Sequence, residues 1–469
     1  MSYYTNKIVL EFGVASVGLS AVAENAVGRL EHDDGGIVGG PLIEAGPKGR
    51  GLGAARALLV GMLFIQVGGG LQGVLLGVRT ESEGFGLAVS GIVMAAFYLG
   101  FMIGTRLAEH FLAAVGHIRV FAALASVASA VSILHLLWIN PAAWALLRML
   151  FGLCIAGVLV VVESWLNDMA TNATRGRLLS MYMVSSMGGL TLGQLLLNGG
   201  DPFGFELFVI SSVLISAALV PITLSATSAP PLTVPEPLSL RQLISRAPTG
   251  VVTAFCSGIS HGTLLGVGAV YAAYEGLAPS RIALFLVSAT AGAIAFQWPV
   301  GSLSDRVSRR AVIFAAAAVA AAIAGILPLI KPGSGLSLVL VFCFGGATFP
   351  LYSLAIALTG DWVPSSQLNG ASAGLVRTAG VGSIIGPVAG GVVMSLTAPW
   401  TFFLVLVGAH AVVVAYTGWR IVAREGVPVD EQGECVPWST RASAMAVNML
   451  RRPPRSLSRN GGSGPGKAA

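Results

Sequence analysis

Twelve runs of about 20 apolar residues dominate this chain, at 57–78, 86–105, 119–138, 143–165, 177–198, 204–224, 249–273, 281–300, 311–330, 336–358, 371–396 and 399–421. At 1.5 Å rise per residue, each is long enough to cross the roughly 30 Å hydrocarbon core of a bilayer as an α-helix. Only 10% of the 469 residues are charged and 55% are hydrophobic, whereas soluble domains carry about 25% charge. So much apolar surface cannot be hidden from water, and lipid excludes open sheet edges. No ten-residue alternation of the β-barrel kind appears. The expected fold class is an all-α polytopic membrane protein with twelve transmembrane helices.

Charge sets the expected orientation. With both termini inside, the inner loops hold nine arginines (Arg106, Arg119, Arg175, Arg177, Arg241, Arg246, Arg306, Arg309 and Arg310), against Arg79, Arg281 and Lys331 outside. That bias predicts cytoplasmic termini in a plasma (inner) membrane. The net charge of +6 is therefore that of a membrane anchor, and no nucleic-acid partner is expected. Four cysteines without CxxC spacing imply neither a disulfide framework nor a metal centre. No histidine pair has metal-ligand spacing, and the chain lacks a G-x-x-x-x-G-K-[ST] phosphate loop. No cofactor is expected.

Composition divides the chain into five parts. Residues 1–55 read as a cytoplasmic N-terminal extension without fixed structure, and 56–224 as a six-helix half. The proline-rich 225–248 reads as an extended cytoplasmic linker. A second six-helix half follows at 249–424, then a basic, Ser/Gly-rich tail at 425–469 that is expected to be disordered. The halves carry an internal repeat. "GTRLAEHFLAAVGHIR", from Gly104, and "GSLSDRVSRR", from Gly301, stand about 197 residues apart. "ESWLND" and "GDWVPS" share nearly that offset, as do Gly188/Gly193 and Gly386/Gly391.

Gly301, Asp305, Arg306, Arg309 and Arg310 form a G-x-x-x-D-R-x-x-R-R loop, and Arg148 lies inside the fourth span with Gly152 after it. With twelve spans in two halves, these features resemble the major facilitator superfamily. Gly104, Glu109 and Arg119 read as a degenerate first-half copy of the loop. "GSIIGPVAGG", with Gly382, Gly386, Pro387, Gly390 and Gly391, has the form that the superfamily's proton-coupled exporters carry in span 5. Here it lies in span 11, and span 5 has Gln194 at the proline's place. The strings "GGLQGVLLGVRTESEGF", "FYLGFMIGTRLAE", "VVVESWLND…TRGR" and "GGATFPLYSLAIAL" resemble the YcaD-type branch of bacterial facilitators.

What the resemblance implies is a secondary transporter, not an enzyme, working by alternating access as a monomer in the lipid bilayer. Its partner is a small-molecule solute, with protons a candidate coupling ion. Efflux by proton antiport and uptake by symport both remain open, and a membrane sensor or polytopic enzyme is disfavoured. By pseudo-symmetry Asp305 should face the start of span 5, near Arg177 to Ser180, where a carboxylate complements a helix N-terminus. Arg309 or Arg310 would pair with Asp361, and Arg119 or Arg106 with Glu163, as a cytoplasmic gate. Candidate cavity residues are Gln66, Gln72, Arg148, His261, Tyr271, Tyr352 and Arg377. A charge inside a bilayer is costly, so Arg148 should face a polar cavity or partner. Arg377 either does the same or snorkels to the surface. His261 is either a proton carrier or a packing histidine. Every Asp and Glu is placed in a loop, tail or helix end.

Overall fold

The computed structural model describes residues 47–170, 174–224, 239–364, 367–424, 426–433 and 435. Residues 1–46 of the N-terminal extension, most of the linker and most of the C-terminal tail lie outside the described residues, and the extension's last residues, from Pro47, already belong to the helix that runs to Ser82. Twelve bundle helices follow in order: α1 (Ala55–Ser82), α2 (Leu87–Val115), α3 (His117–Leu134), α4 (Pro141–Met169), α5 (Arg175–Leu195), α6 (Glu206–Thr223), α7 (Pro248–Tyr274), α8 (Pro279–Ser304), α9 (Arg309–Leu329), α10 (Gly335–Gly360), α11 (Leu368–Leu396) and α12 (Pro399–Ala423). Eleven are long and apolar enough to cross a membrane. The exception is α5, diluted by Ser185, Ser186, Gly188, Gly189, Thr191 and Gln194. It is nonetheless a full helix, lying against α1 and α8. The chain is an all-α polytopic membrane protein.

Local chemistry explains several boundaries. Asn140 caps α4, its side chain accepting from Ala142 N at 2.9 Å, with Pro141 opening the helix,. Gly116, at φ 83°, turns the chain between α2 and α3, a conformation in which a Cβ is strained. The last part of the linker is not extended. Ser239 and Gln242 form a reciprocal capping box that starts a short helix, Leu240–Arg246, because Ser-x-x-Gln satisfies two otherwise free backbone donors.

Glycine brings the helices together. A Cβ on Gly100 of α2 would lie 1.8 Å from Met149 O of α4, and one on Gly152 would lie 2.0 Å from Phe97 O. In the second half a Cβ on Gly292 of α8 would lie 1.9 Å from Phe342 O of α10, and one on Gly345 would lie 2.0 Å from Ala289 O. The same holds for α1 with α5 and α7 with α11. Gly193 lies on Val67 O and Gly386 on Ile259 O; Gly189 and Gly382 repeat the relation on Leu63 O and Phe255 O. The "GSIIGPVAGG" stretch is thus a packing face. Gly390 meets Val267, Gly391 meets Leu87 O, and Pro387 O touches Gly91.

These contacts recur 192 or 193 residues apart, which corrects the spacing of about 197 taken from the loops. Helix contacts count register within rigid elements, whereas the loop strings fall where the halves differ in helix length. Gly193 therefore matches Gly386, not Gly391, and Gly188, with nothing within 4 Å, has no packing role. Gly104 does not stand where Gly301 stands. It lies against Leu153 of α4, and its counterpart is Phe296, whose ring lies on Gly346. The glycine has changed sides of the contact.

The halves meet at both ends. At the end bearing the Gly301–Arg310 loop, one apolar cluster joins Val162, Trp165 and Leu166 of α4 to Tyr352, Ala355 and Ile356 of α10. At the other end Gly77 of α1 lies against Ala269 of α7, where a Cβ would approach to 2.6 Å. Replacing Gly100 or Gly292 by Ala should lower stability by about 1–3 kcal/mol, since a backbone carbonyl must move. Gly188→Ala should be neutral or stabilising; thermal melts of the purified variants in detergent check this contrast.

Candidate functional site: a polar seam and an ionic cluster

Two small adjoining cavities lie between the halves and share Phe97, Tyr98 and Leu265. One is lined by Gln66, Arg148 and Gln194, the other by His261, Arg377 and Ser383. Arg148 is 4% exposed, and its guanidinium lies 4.8 Å from the Phe97 ring centroid. That is a cation–π geometry that moderates the desolvation of the charge. Gln66 Nε2 donates to Ser186 Oγ at 3.0 Å, which fixes the amide between α1 and α5. Gln194 Oε1 accepts from Thr290 Oγ1 at 3.1 Å, and Thr191 Oγ1 donates to Thr290 Oγ1 at 3.0 Å. This hydroxyl–amide chain crosses the seam from α5 to α8.

His261 is buried, its Nδ1 2.6 Å from Ser257 O and its ring edge-on to Phe349 at 4.3 Å. The helix widens to a π-turn at Thr263–Val267 directly after it. Such turns mark places where a helix trades regularity for positioning.

Three other sequence candidates are absent from these linings. Tyr271 stacks on Phe402 at 4.9 Å within a cluster that includes Phe285 and Phe403, so its position is set by aromatic packing. Tyr352 is fully buried in the cross-half cluster, and Gln72 is fully buried in α1. The Tyr352 hydroxyl and both Gln72 amide atoms lack hydrogen-bond partners among the described residues.

At the loop end, Arg309 is 1% exposed and donates to Asp361 Oδ2. Its Nη2 also donates to Asp305 Oδ1 at 3.2 Å. Arg310 takes another role. Its guanidinium lies 5.3 Å from the Trp362 ring and donates to Arg424 O at 2.9 Å. Arg306 is exposed. Burial pushes the Asp361 carboxyl above the usual carboxylate range, with Arg309 acting in the opposite direction,. Asp305 Oδ1 accepts the backbone N–H of Cys435 at 2.7 Å, where the sequence pointed to the start of α5.

The first half is built differently. Arg106, Glu109 and Arg119 are exposed, and neither arginine forms an ion pair with Glu163 among the described residues. Glu163 is fully buried six residues before the end of α4 and accepts from the Tyr182 hydroxyl of α5. It is an interior carboxylate, not a helix-end one. In the register of the repeat, His117 stands where Arg309 stands. Its Nε2 lies 3.2 Å from Ser164 Oγ, and its ring lies 5.8 Å from Trp165. A His–Ser contact thus stands where the second half has a buried ion pair. The first-half string does not align without a gap, so reading from the loop alone missed His117, Ser164 and Tyr182.

Arg309→Met should strand the Asp361 carboxylate and destabilise by about 3 kcal/mol near neutral pH. Losing the guanidinium raises the carboxyl further. The variant's deficit should therefore shrink as pH falls and Asp361 becomes neutral, and widen as pH rises. Melting temperatures of both proteins from pH 5 to 8 test the sign.

Comparison with known proteins agrees with this geometry. A Major Facilitator Superfamily model matches residues 250–457, and a Sugar (and other) transporter model matches 78–224. The MFS-type transporter YcaD of Escherichia fergusonii is 28% identical over 337 residues, covering 70% of this chain and 86% of that protein. Among solved structures, the nucleoside transporter NupG superposes with a TM-score of 0.68 at 13% identity, covering 78% of this chain and 99% of its own. A bacterial homolog of the human lysosomal transporter Spinster gives 0.59 at 14%, covering 86% and 98%. These two establish likeness of fold. Taken with the repeat and the loop motif, these matches make both halves of the chain similar to major facilitator superfamily transporters, and much of the chain similar to the YcaD-type members.

Proposed function

We propose that this membrane transporter moves a small neutral or anionic solute through the seam by alternating access, with the Asp305–Arg309–Asp361 cluster as part of the cytoplasmic gate. The observation carrying this reading is the buried Arg148, held with Gln66 and Gln194 around a cavity between two halves that touch at both ends. A permanent cation at the lining repels cationic cargo and favours anions or hydrogen-bonding neutral solutes. Opening either side requires parting the contacts at that end, while the polar seam stays central.

Proton coupling fits two groups. His261 lines the cavity, and Glu163 is a buried carboxylate close to the cross-half cluster. Both side chains are of the kind that exchanges protons, and a charge on either at this depth needs a partner or water beside it.

The test is a thermal-shift screen of the purified protein against neutral, anionic and cationic metabolites. A solute at about 100 times its Kd should stabilise by about 2.7 kcal/mol, and Arg148→Gln should abolish the shift. Stabilisation by cations alone would contradict the reading. In proteoliposomes, transport of the solute so found should change its pH–rate profile in His261→Gln. An unaltered profile removes His261 as the carrier.

A further inference from the structure

The ionic cluster at the loop end engages a segment of the chain beyond the bundle. Past α12, a short turn at Val429–Glu431 is steadied by Gln432 Nε2 donating to Val427 O at 2.9 Å. The chain then reaches Gly433, whose N–H donates to Asp361 Oδ1 at 3.1 Å and whose carbonyl accepts from Arg309 Nη2. Two residues on, Cys435 N donates to Asp305 Oδ1 at 2.7 Å. A Cβ added to Gly301 would lie 3.7 Å from Cys435 Sγ, so the thiol sits beside the first residue of the motif. Arg310 holds the exit of α12 through Arg424 O at 2.9 Å and Arg420 O at 3.5 Å.

We infer that the Asp305–Arg309–Asp361 cluster is a docking site for an extended peptide, and that its occupant is the chain's own Gly433–Cys435 segment. The chemistry is complementary. Two carboxylates accept backbone N–H groups, one guanidinium donates to a backbone carbonyl, and the Cys435 thiol sits beside Gly301. Charged acceptors and donors make stronger hydrogen bonds than neutral ones. Asp361 offers one oxygen to Arg309 and the other to Gly433, so ion pair and tail share one carboxylate.

The consequence is a strap. The α8–α9 loop, the end of α10 and the continuation of α12 are tied at one place, and any movement of Asp361 away from Arg309 must also disturb the tail. Burial in this position pushes the Cys435 thiol up to about 11, which keeps it protonated and slow to react while docked.

The docked state can be measured without knowing the transported solute, so the result is independent of the proposed cargo and mechanism. In full-length protein with Cys154, Cys256 and Cys343 replaced by Ala, the rate at which N-ethylmaleimide modifies Cys435 reports release of the strap. The expected outcome is slow labelling. A rise of about tenfold is expected in Gly433→Pro, which removes the N–H given to Asp361, because hydrogen bonds to charged groups are of that magnitude. Asp305→Asn should raise the rate as well. Gly433 lies outside the bundle, so its variant keeps the fold and separates release from unfolding; melting temperature checks this. Labelling of the folded parent as fast as in denaturant, or equal rates in parent and Gly433→Pro, overturns the inference.

Discussion

Lipid is as apolar as the leucines that face it, so burying leucine between helices gains little over leaving it in the bilayer. What orders this bundle is the close approach of backbones where a Cβ is missing. Gly100, Gly152, Gly193, Gly292, Gly345 and Gly386 each place a helix against a carbonyl of its neighbour. Everything else is positioned by those contacts. Pairing of α2 with α4 sets Phe97 under Arg148, pairing of α1 with α5 sets Gln66 against Ser186, and pairing of α7 with α11 brings His261 to the same cavity as Ser383.

Electrostatics then separates two kinds of site. At the seam, Arg148 lies against the Phe97 ring, and the amides of Gln66 and Gln194 meet the hydroxyls of Ser186 and Thr290. At the loop end, Arg309 donates from its two terminal nitrogens to Asp305, Asp361 and Gly433. A buried ion pair is weak evidence for stability, but breaking one is costly because a charge is left without a partner. The halves differ most here, ionic on one side and a His117–Ser164 contact on the other.

Much of this was legible in the sequence. Apolar run length located the helices, and the G-x-x-x-D-R-x-x-R-R spacing located the ionic cluster and its partner Asp361. Gln194 stands opposite Pro387 in the repeat, as the comparison of spans 5 and 11 had it. The illegible parts have physical causes. A repeat aligned on loops inherits every difference in helix length, so Gly104 was matched to the wrong residue. Glu163 was assigned to a helix end because its run of valines stops there, although α4 continues to Met169. Tyr271 looked like a polar lining residue, and only tertiary packing shows it stacked on Phe402. The contact of Gly433 and Cys435 with the motif joins residues about 130 apart with no periodic pattern, and composition spoke for disorder.

One contact described earlier carries a geometric consequence. Gly77 and Ala269 are counterparts in the repeat, 192 residues apart, yet they touch each other. A residue that meets its own mate lies on the axis relating the halves. Contacts away from that axis come in two copies that can diverge, as the arginine and histidine contacts have. The contact on the axis has one copy, shared by both halves at once. Its two smallest side chains, hydrogen and methyl, are what one unduplicated point of closest approach permits.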